Sequence, residues 1–438
     1  MRASRAFAAA VVAAAALQAL LFALDTPARP RALWGDEVMY ADLAHRLAAG
    51  EDARIDPLWP PAYPRFLAGL LVLGGGSFVL ARCIQVALLL ASALLLRDLA
   101  ARITGSAVAG TVAGALLLLD PQVGAFAHFL WPELPHLFLF LFAAWILVAR
   151  AERPAWLAVA GVVLGLALLT KSLLGPFLPV LLLPLVFRAG RRGAGRAALV
   201  VLAAAVTVAP TVIDNARRGA PLFADSSRFN LWVGLNDRSR KDMVDEVVGD
   251  EYQRYLRSGE NAAARARVLD ARIGGLVRER GLAALLRAQL GRQYFRLLDK
   301  DSFFTDQLPG GAISRLGYGY QGVSAAAAAL LRAWSYALYA AVLVAAALGF
   351  AAAPPRGPWH RVMVAFLVYN AALFLLLHVK TRYRVAFLPV LYLQGGAFVA
   401  WCLARRESRS APSRAAWAAG AAGAALALFL AFAGPLLH

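Results

Sequence analysis

The chain is predicted to be an all-α polytopic membrane protein of about eleven transmembrane helices, with an external first loop and one external helical domain. Of its 438 residues, 61% are hydrophobic and 16% charged, against roughly half apolar and about a quarter charged in soluble domains. Ala- and Leu-dominated blocks recur at about 17–24 residues, the length that crosses a hydrocarbon core of about 30 Å. The net charge of +19 gathers beside those blocks, where topology and anionic headgroups account for it without a nucleic-acid partner. Cys83 and Cys402 both lie inside apolar blocks, with no metal-ligand spacing and no disulfide framework.

The apolar runs place spans near residues 7–24, 78–96, 104–120, 134–149, 155–170, 173–187, 197–213, 326–349, 360–378, 385–403 and 415–434. Arg2 and Arg5 precede the first run as in a signal peptide, but the run to Leu24 exceeds the usual apolar core of about 7–15 residues. It is taken as an uncleaved first helix. With the N-terminus in the cytoplasm, every internal loop is basic: Arg97/Arg102, Arg150/Arg153, Arg188/Arg191/Arg192/Arg196, Arg356/Arg361 and Arg405/Arg406/Arg409/Arg414. This matches the positive-inside bias. The division expected is an N-terminal transmembrane module (1–213, carrying the first external loop 25–77), an external domain (214–325) and a C-terminal transmembrane module (326–438).

In the first loop, Gly35-Asp36-Glu37 opens a short amphipathic helix that Gly50 closes. After Pro57, Pro60, Pro61 and Pro64, the apolar run 66–73 is too short to span and is expected to lie at the interface. The 214–325 segment holds 18 Arg/Lys against 14 Asp/Glu. Leu269, Ile273, Leu276, Leu282, Leu286, Leu290, Tyr294 and Leu297 fall in near-helical register there, so about three helices are expected.

Ionisable groups near hydrocarbon are costly and usually mark a site. On the predicted external face these are Asp36, Glu37, Arg82, His128, Glu133, His136, Lys171, Lys380, Arg382 and Arg384. An acidic part beside a basic part suggests a general base next to a phosphate-holding patch. Each also has a plainer explanation. Asp36 suits a helix cap, Glu37 a solvated charge favoured by the helix dipole, and Glu133 a plain N-terminal charge. Lys171 suits a snorkelling side chain, and the histidines lack a third ligand and are expected to be structural. Lys380-Thr381-Arg382-Tyr383-Arg384 is different, because three cations there oppose the positive-inside bias and favour a bound anion.

Trp34-Gly35-Asp36-Glu37-Val38-Met39-Tyr40-Ala41-Asp42-Leu43-Ala44, an acidic pair opening a helix after the first span, resembles the first-loop signature of the polyprenyl-phosphate-sugar-dependent glycosyltransferases. These are the GT-C-fold enzymes that include protein O-mannosyltransferases and lipid A aminoarabinose transferases. Pro60-Pro61-Ala62-Tyr63-Pro64 resembles their paired-proline turn, and Ala81-Arg82-Cys83-Ile84-Gln85 the arginine opening their second span. Asn230-Leu231-Trp232-Val233-Gly234-Leu235-Asn236 resembles the start of their external domain, and Arg382-Tyr383-Arg384 with Phe387-Leu388-Pro389 their late arginine motif. The order holds over roughly residues 7–403. In several members a lysine precedes the paired prolines; here it is Trp59, which moves the expected phosphate contact to Arg65 or Lys171. The external domain is also short for the family.

The resemblance implies transfer of a sugar from a polyprenyl-phosphate donor to an acceptor hydroxyl (on lipid, glycan or protein), with inversion, at the external leaflet of a bacterial plasma (inner) membrane. Asp36 is the implied base, Glu133 and Glu37 accompanying carboxylates. Arg82, Lys171, Lys380, Arg382, Tyr383, Arg384, Tyr63 and Asn236 are the implied substrate-binding residues. No cofactor is required by this chemistry; a carboxylate-bound divalent ion is compatible with it. Two alternatives use the same charges: a lipid-linked-sugar transporter or flippase, and a polysaccharide polymerase or ligase. The few polar residues inside spans, Gln85, Asn370 and Gln394, do not line a transport path, and no inverted repeat is visible.

The topology gives the first prediction. Cysteines placed at Ser226 and Ser258 should be labelled by an impermeant thiol reagent on intact cells, and one at Ser408 should not. Labelling at 408 with none at 226 inverts the orientation.

Overall fold

The computed structural model describes residues 2–25, 31–51, 55, 58–220, 222, 226–236, 262–404 and 412–434. Pro57, Arg405, Arg406, Arg409, Ser258 and Ser408 lie outside them. Among the described residues the chain is helical with no strand; one isolated antiparallel bridge joins Ala32 to Gly319. Such a chain satisfies its backbone hydrogen bonds within each segment, as a lipid-facing fold must.

The helices are α1 (Arg2–Leu24), α2 (Asp36–Ala48), α3 (Ala62–Leu73), α4 (Val79–Thr104), α5 (Ala107–Leu119), α6 (Pro121–Ala125), α7 (Glu133–Ala149), α8 (Pro154–Thr170) and α9 (Leu178–Arg217). There follow α10 (Ser226–Asn236), α11 (Ala262–Arg280), α12 (Leu282–Arg292), α13 (Phe303–Gln307), α14 (Ala325–Ala352), α15 (Pro358–Leu373), α16 (Leu388–Ala404) and α17 (Arg414–Leu428). By length and composition, five helical stretches suffice to cross a membrane: 5–24, 79–104, 172–217, 325–352 and 414–433. Helices α3, α5, α7, α8 and α16 are apolar but shorter.

Several boundaries differ from expectation for local reasons. The span expected at 104–120 starts later, because Gly105 adopts φ 69° at the end of α4 and the Ser106 hydroxyl accepts from the Ala109 N–H to cap α5. The runs 173–187 and 197–213 form one helical stretch that turns sharply at Gly190 (φ 51°, ψ −126°). The turn is tight enough that a side chain on Gly193 would meet the Leu185 carbonyl. In the expected external segment, Gly281 (φ 76°) separates α11 from α12. There Leu269 is buried but Leu282 and Leu290 are about half exposed, so the helical register does not run through that glycine. Leu269 packs with Leu58, Phe229, Trp232 and Val233 in a small second core.

In the main core, α5 lies between α4 and α16, α1 packs on α5, and α7, α8 and α9 follow in sequence. Small residues allow close approach, as at membrane helix interfaces generally: Gly114 meets Ala93 and Phe7, Gly161 meets Val200 and Ala203, and Gly396 meets Ala109. Phe366 of α15 stacks on Phe140 of α7 (4.3 Å) and tilts against Phe177 (5.0 Å). Helices α14 to α17 leave an apolar groove of about 490 Å³ between them. The paired-proline turn starts α3, and the charged loops gather where α2, α7, α8 and the turn at Thr381–Ala386 converge.

Candidate active site

Gly35, at φ 62° and ψ −133°, precedes α2 without any side-chain cap, so Asp36 and Glu37 form its first turn. Asp36 is therefore no helix cap. Successive residues point about 100° apart on a helix, and the two carboxylates have separate surroundings.

Glu37 faces inward and is fully buried, which corrects the expectation of a solvated charge. Arg31 grips it with both terminal nitrogens, at 2.8 and 2.5 Å. It also accepts from the backbone N–H groups of Leu130 (2.9 Å) and Trp34 (3.3 Å). Arg31 in turn donates to Gln307 Oε1 (2.7 Å) and lies over the Phe129 ring at 4.7 Å. One buried ion pair thus fastens the loop before α2, the 126–132 segment and α13.

Asp36 faces a small cavity. Its Oδ2 accepts from Arg382 Nη2 at 2.5 Å. The Arg382 guanidinium lies near three rings, Trp131 (4.7 Å), Tyr383 (5.4 Å) and Phe303 (5.7 Å). Its Nε is 3.6 Å from Glu133 Oε1, which accepts from Lys171 Nζ at 2.9 Å. The other Glu133 oxygen is buried and has no hydrogen-bond partner among the described residues. Burial pushes the Asp36 carboxyl up, but the charges of Arg382 and Lys380 and the Arg382 hydrogen bond outweigh it and hold it below the usual carboxylate range. Burial lowers the Lys171 ammonium, and Glu133 only partly offsets this.

The cavity measures about 90 Å³ and is lined by these four charged residues together with Tyr40, Trp59, Asn230, His378, Tyr383, Pro132 and Ser172 among others. It brings together Asp36, Glu133, Lys171, Arg382 and Tyr383, from four separate stretches of sequence.

Other expected residues sit elsewhere. Arg384 is buried in the core, donating to the Asp299 carbonyl and Gln122 Oε1 and lying 4.4 Å from the Tyr339 ring. It does not line the cavity. Arg82 pairs with Asp25 at 2.6 Å. The Tyr63 hydroxyl donates to Gln85 Oε1 (3.1 Å), with its ring edge-on to Tyr40. Lys380 lies 5.8 Å from the Trp34 ring and 5.9 Å from that of Phe303. Arg65 is exposed. The Asn236 side chain falls outside the described residues, and Asn230 occupies the cavity wall from that motif. His128 bonds Gln18 (2.9 Å) and is pushed down to about 3, first by burial; His136 bonds the Ala167 carbonyl. Among the described residues no three His, Cys, Asp or Glu side chains gather as a metal site.

Sequence reasoning missed Arg31, Gln307, Gln122 and His378. Of these only Arg31 left a trace in the sequence, as a cation six residues upstream of Glu37; the burial that makes it a partner is seen only in the structure.

Residues 59–213 match the family model described as dolichyl-phosphate-mannose-protein mannosyltransferase. No curated protein matches the chain. Among solved structures, the fold is similar to that of the Archaeoglobus fulgidus oligosaccharyltransferase. Its complex with Zn and sulfate gives a TM-score of 0.52 at 14% identity, covering 99% of this chain and 52% of that one. Its apo form gives 0.52 at 13% identity, covering 99% and 55%. The chain thus spans about half the length of the solved structures it matches. The resemblance expected from the motifs is met by a family model of the same class and by the GT-C fold.

Glu37→Gln should lower unfolding stability by roughly 3–5 kcal/mol, the cost of stranding one partner of a buried pair. Chemical or thermal unfolding in detergent measures it; an unchanged midpoint contradicts the anchoring role.

Proposed function

We propose that the chain is a membrane glycosyltransferase that moves a sugar from a polyprenyl-phosphate donor to an acceptor hydroxyl at the external leaflet of a bacterial plasma membrane. The observation that carries this is the contact between Asp36 and Arg382 at one polar cavity. A carboxylate able to take a proton and an arginine able to hold a phosphate meet there, in a chain whose 59–213 region matches a lipid-phosphate-sugar family.

The residues support a single displacement. The acceptor oxygen attacks the anomeric carbon while its proton passes to Asp36. The bond from that carbon to the phosphate oxygen breaks, and the electron pair leaves with polyprenyl phosphate, so the configuration inverts. Arg382, whose planar fork suits a phosphate, and Lys171 neutralise the departing charge. The bare Glu133 oxygen accepts from the incoming hydroxyl or the sugar. No step calls for a metal.

The apolar groove suits the lipid tail. Leu367 and Ala371 of α15 line it, while Phe374 and Leu377 just beyond line the polar cavity; Tyr383 lines the cavity, and Phe387 and Leu391 the groove. Both stretches run from one site to the other, as an amphiphilic donor requires. In this account 214–325 is the external domain between two transmembrane modules, 1–213 and 326–438.

The test incubates the purified protein with a panel of polyprenyl-phosphate sugars and an acceptor mixture, and measures polyprenyl phosphate released. Asp36→Asn should fold normally and lose about 10²–10⁴-fold in rate. Wild-type turnover by Asp36→Asn removes the base assignment, and no consumption of any donor by the wild type removes the activity.

A further inference from the structure

The cavity carries two cations and two carboxylates, and each cation already sits on a carboxylate: Arg382 on Asp36, Lys171 on Glu133. An entering phosphate adds negative charge to a lining whose own charges already balance, with Lys380 the further cation beside Asp36. Room is also short. About 90 Å³ is well under the roughly 300 Å³ at which ordinary small-molecule pockets begin. Opening one of these ion pairs supplies both the room and the unpaired cation that a sugar phosphate needs.

The two pairs are unequal. The Glu133 side chain is 1% exposed and lies within reach of both Lys171 and Arg382; separating it from them strands a charge in a low-dielectric interior, which is costly. The Asp36 side chain is 18% exposed and stands in the first turn of α2, where the helix dipole favours a negative charge even without a partner. The Arg382 plane, lying near three rings, stays in place when Asp36 leaves it. Asp36 is therefore the group that yields.

We infer that the donor phosphate and Asp36 compete for Arg382, so that donor binding is the event that frees the carboxylate to act as base. This rests on the proposed donor chemistry and adds an order to it: with no donor bound the base is held on an arginine and is a poor proton acceptor. Replacing Arg382 by phosphate as the near neighbour raises the basicity of Asp36 at the step that uses it. The acceptor hydroxyl is activated only when a donor is present to receive its attack.

Competition makes an unusual demand of the variant expected to be inactive: Asp36→Asn should bind the lipid phosphate more tightly than wild type. The probe is a polyprenyl monophosphate titrated into detergent-solubilised protein at fixed ionic strength. The expected gain is at least about fivefold, the lower end of ordinary coupling between linked equilibria. Asp42→Asn, which removes the same charge from an exposed position of α2, should leave affinity unchanged. Lowering pH should shrink the difference, because wild-type Asp36 then protonates in the complex and stops competing, whereas asparagine has nothing to protonate. The groups facing Asp36 are Arg382, Lys380, Lys171, Glu133, Tyr40, Tyr383 and His378, all of them present in both proteins, and the ionisation of the phosphate cancels in the comparison. Equal or weaker binding by Asp36→Asn, with wild-type binding intact, overturns the competition alone. An equal gain in Asp42→Asn reduces it to general charge and also overturns it. Absence of binding by the wild type overturns the donor assignment as well.

Discussion

Glu37 and Arg31 are both sealed from solvent, and in a helical bundle of this composition neither charge survives alone. The carboxylate takes two guanidinium bonds and two backbone N–H bonds, and the guanidinium reaches on to Gln307. Three segments distant in sequence are held to one another at that point. The consequence lies one residue back. With Glu37 turned inward and fixed, the helix geometry swings Asp36 away from the core and onto Arg382. Two adjacent carboxylates thus divide the work: one holds the loop, and the other remains at the edge of a cavity where it can exchange partners.

The same division separates the two arginines of the late motif. Arg382 points into the cavity, and Arg384 points back into the core, where a carbonyl, an amide and an aromatic ring receive it. The short helical turn at Thr381–Ala386 directs them apart. Arg384 fixes that turn from behind, and its contribution to the site is the position of Arg382.

Much of this was legible in the sequence because the physics concerned is local. Block length and composition announce helices in lipid, a glycine and an acidic pair announce the start of α2, and a run of three cations within five residues announces Arg382. What escaped was of another kind. Nothing near Asp36 distinguishes a helix cap from a group reaching a partner 346 positions away. The burial of Glu37 depends on Arg31, whose loop carries no periodic pattern. The division of 172–217 into two runs was legible from the basic stretch between them, but its placement at Gly190 depends on one backbone conformation. That Arg382 and Arg384 part was expected of alternate residues; which of them faces the cavity depends on a turn whose pitch the sequence does not state.

The central claim is that Arg382 passes from Asp36 to the lipid phosphate. An experimental structure of the protein with a polyprenyl monophosphate bound measures this directly. The account predicts phosphate oxygens within hydrogen-bond distance of Arg382, with Asp36 released from it and Glu133 still on Lys171. A phosphate bound elsewhere, or one bound beside an intact contact between Asp36 and Arg382, contradicts it.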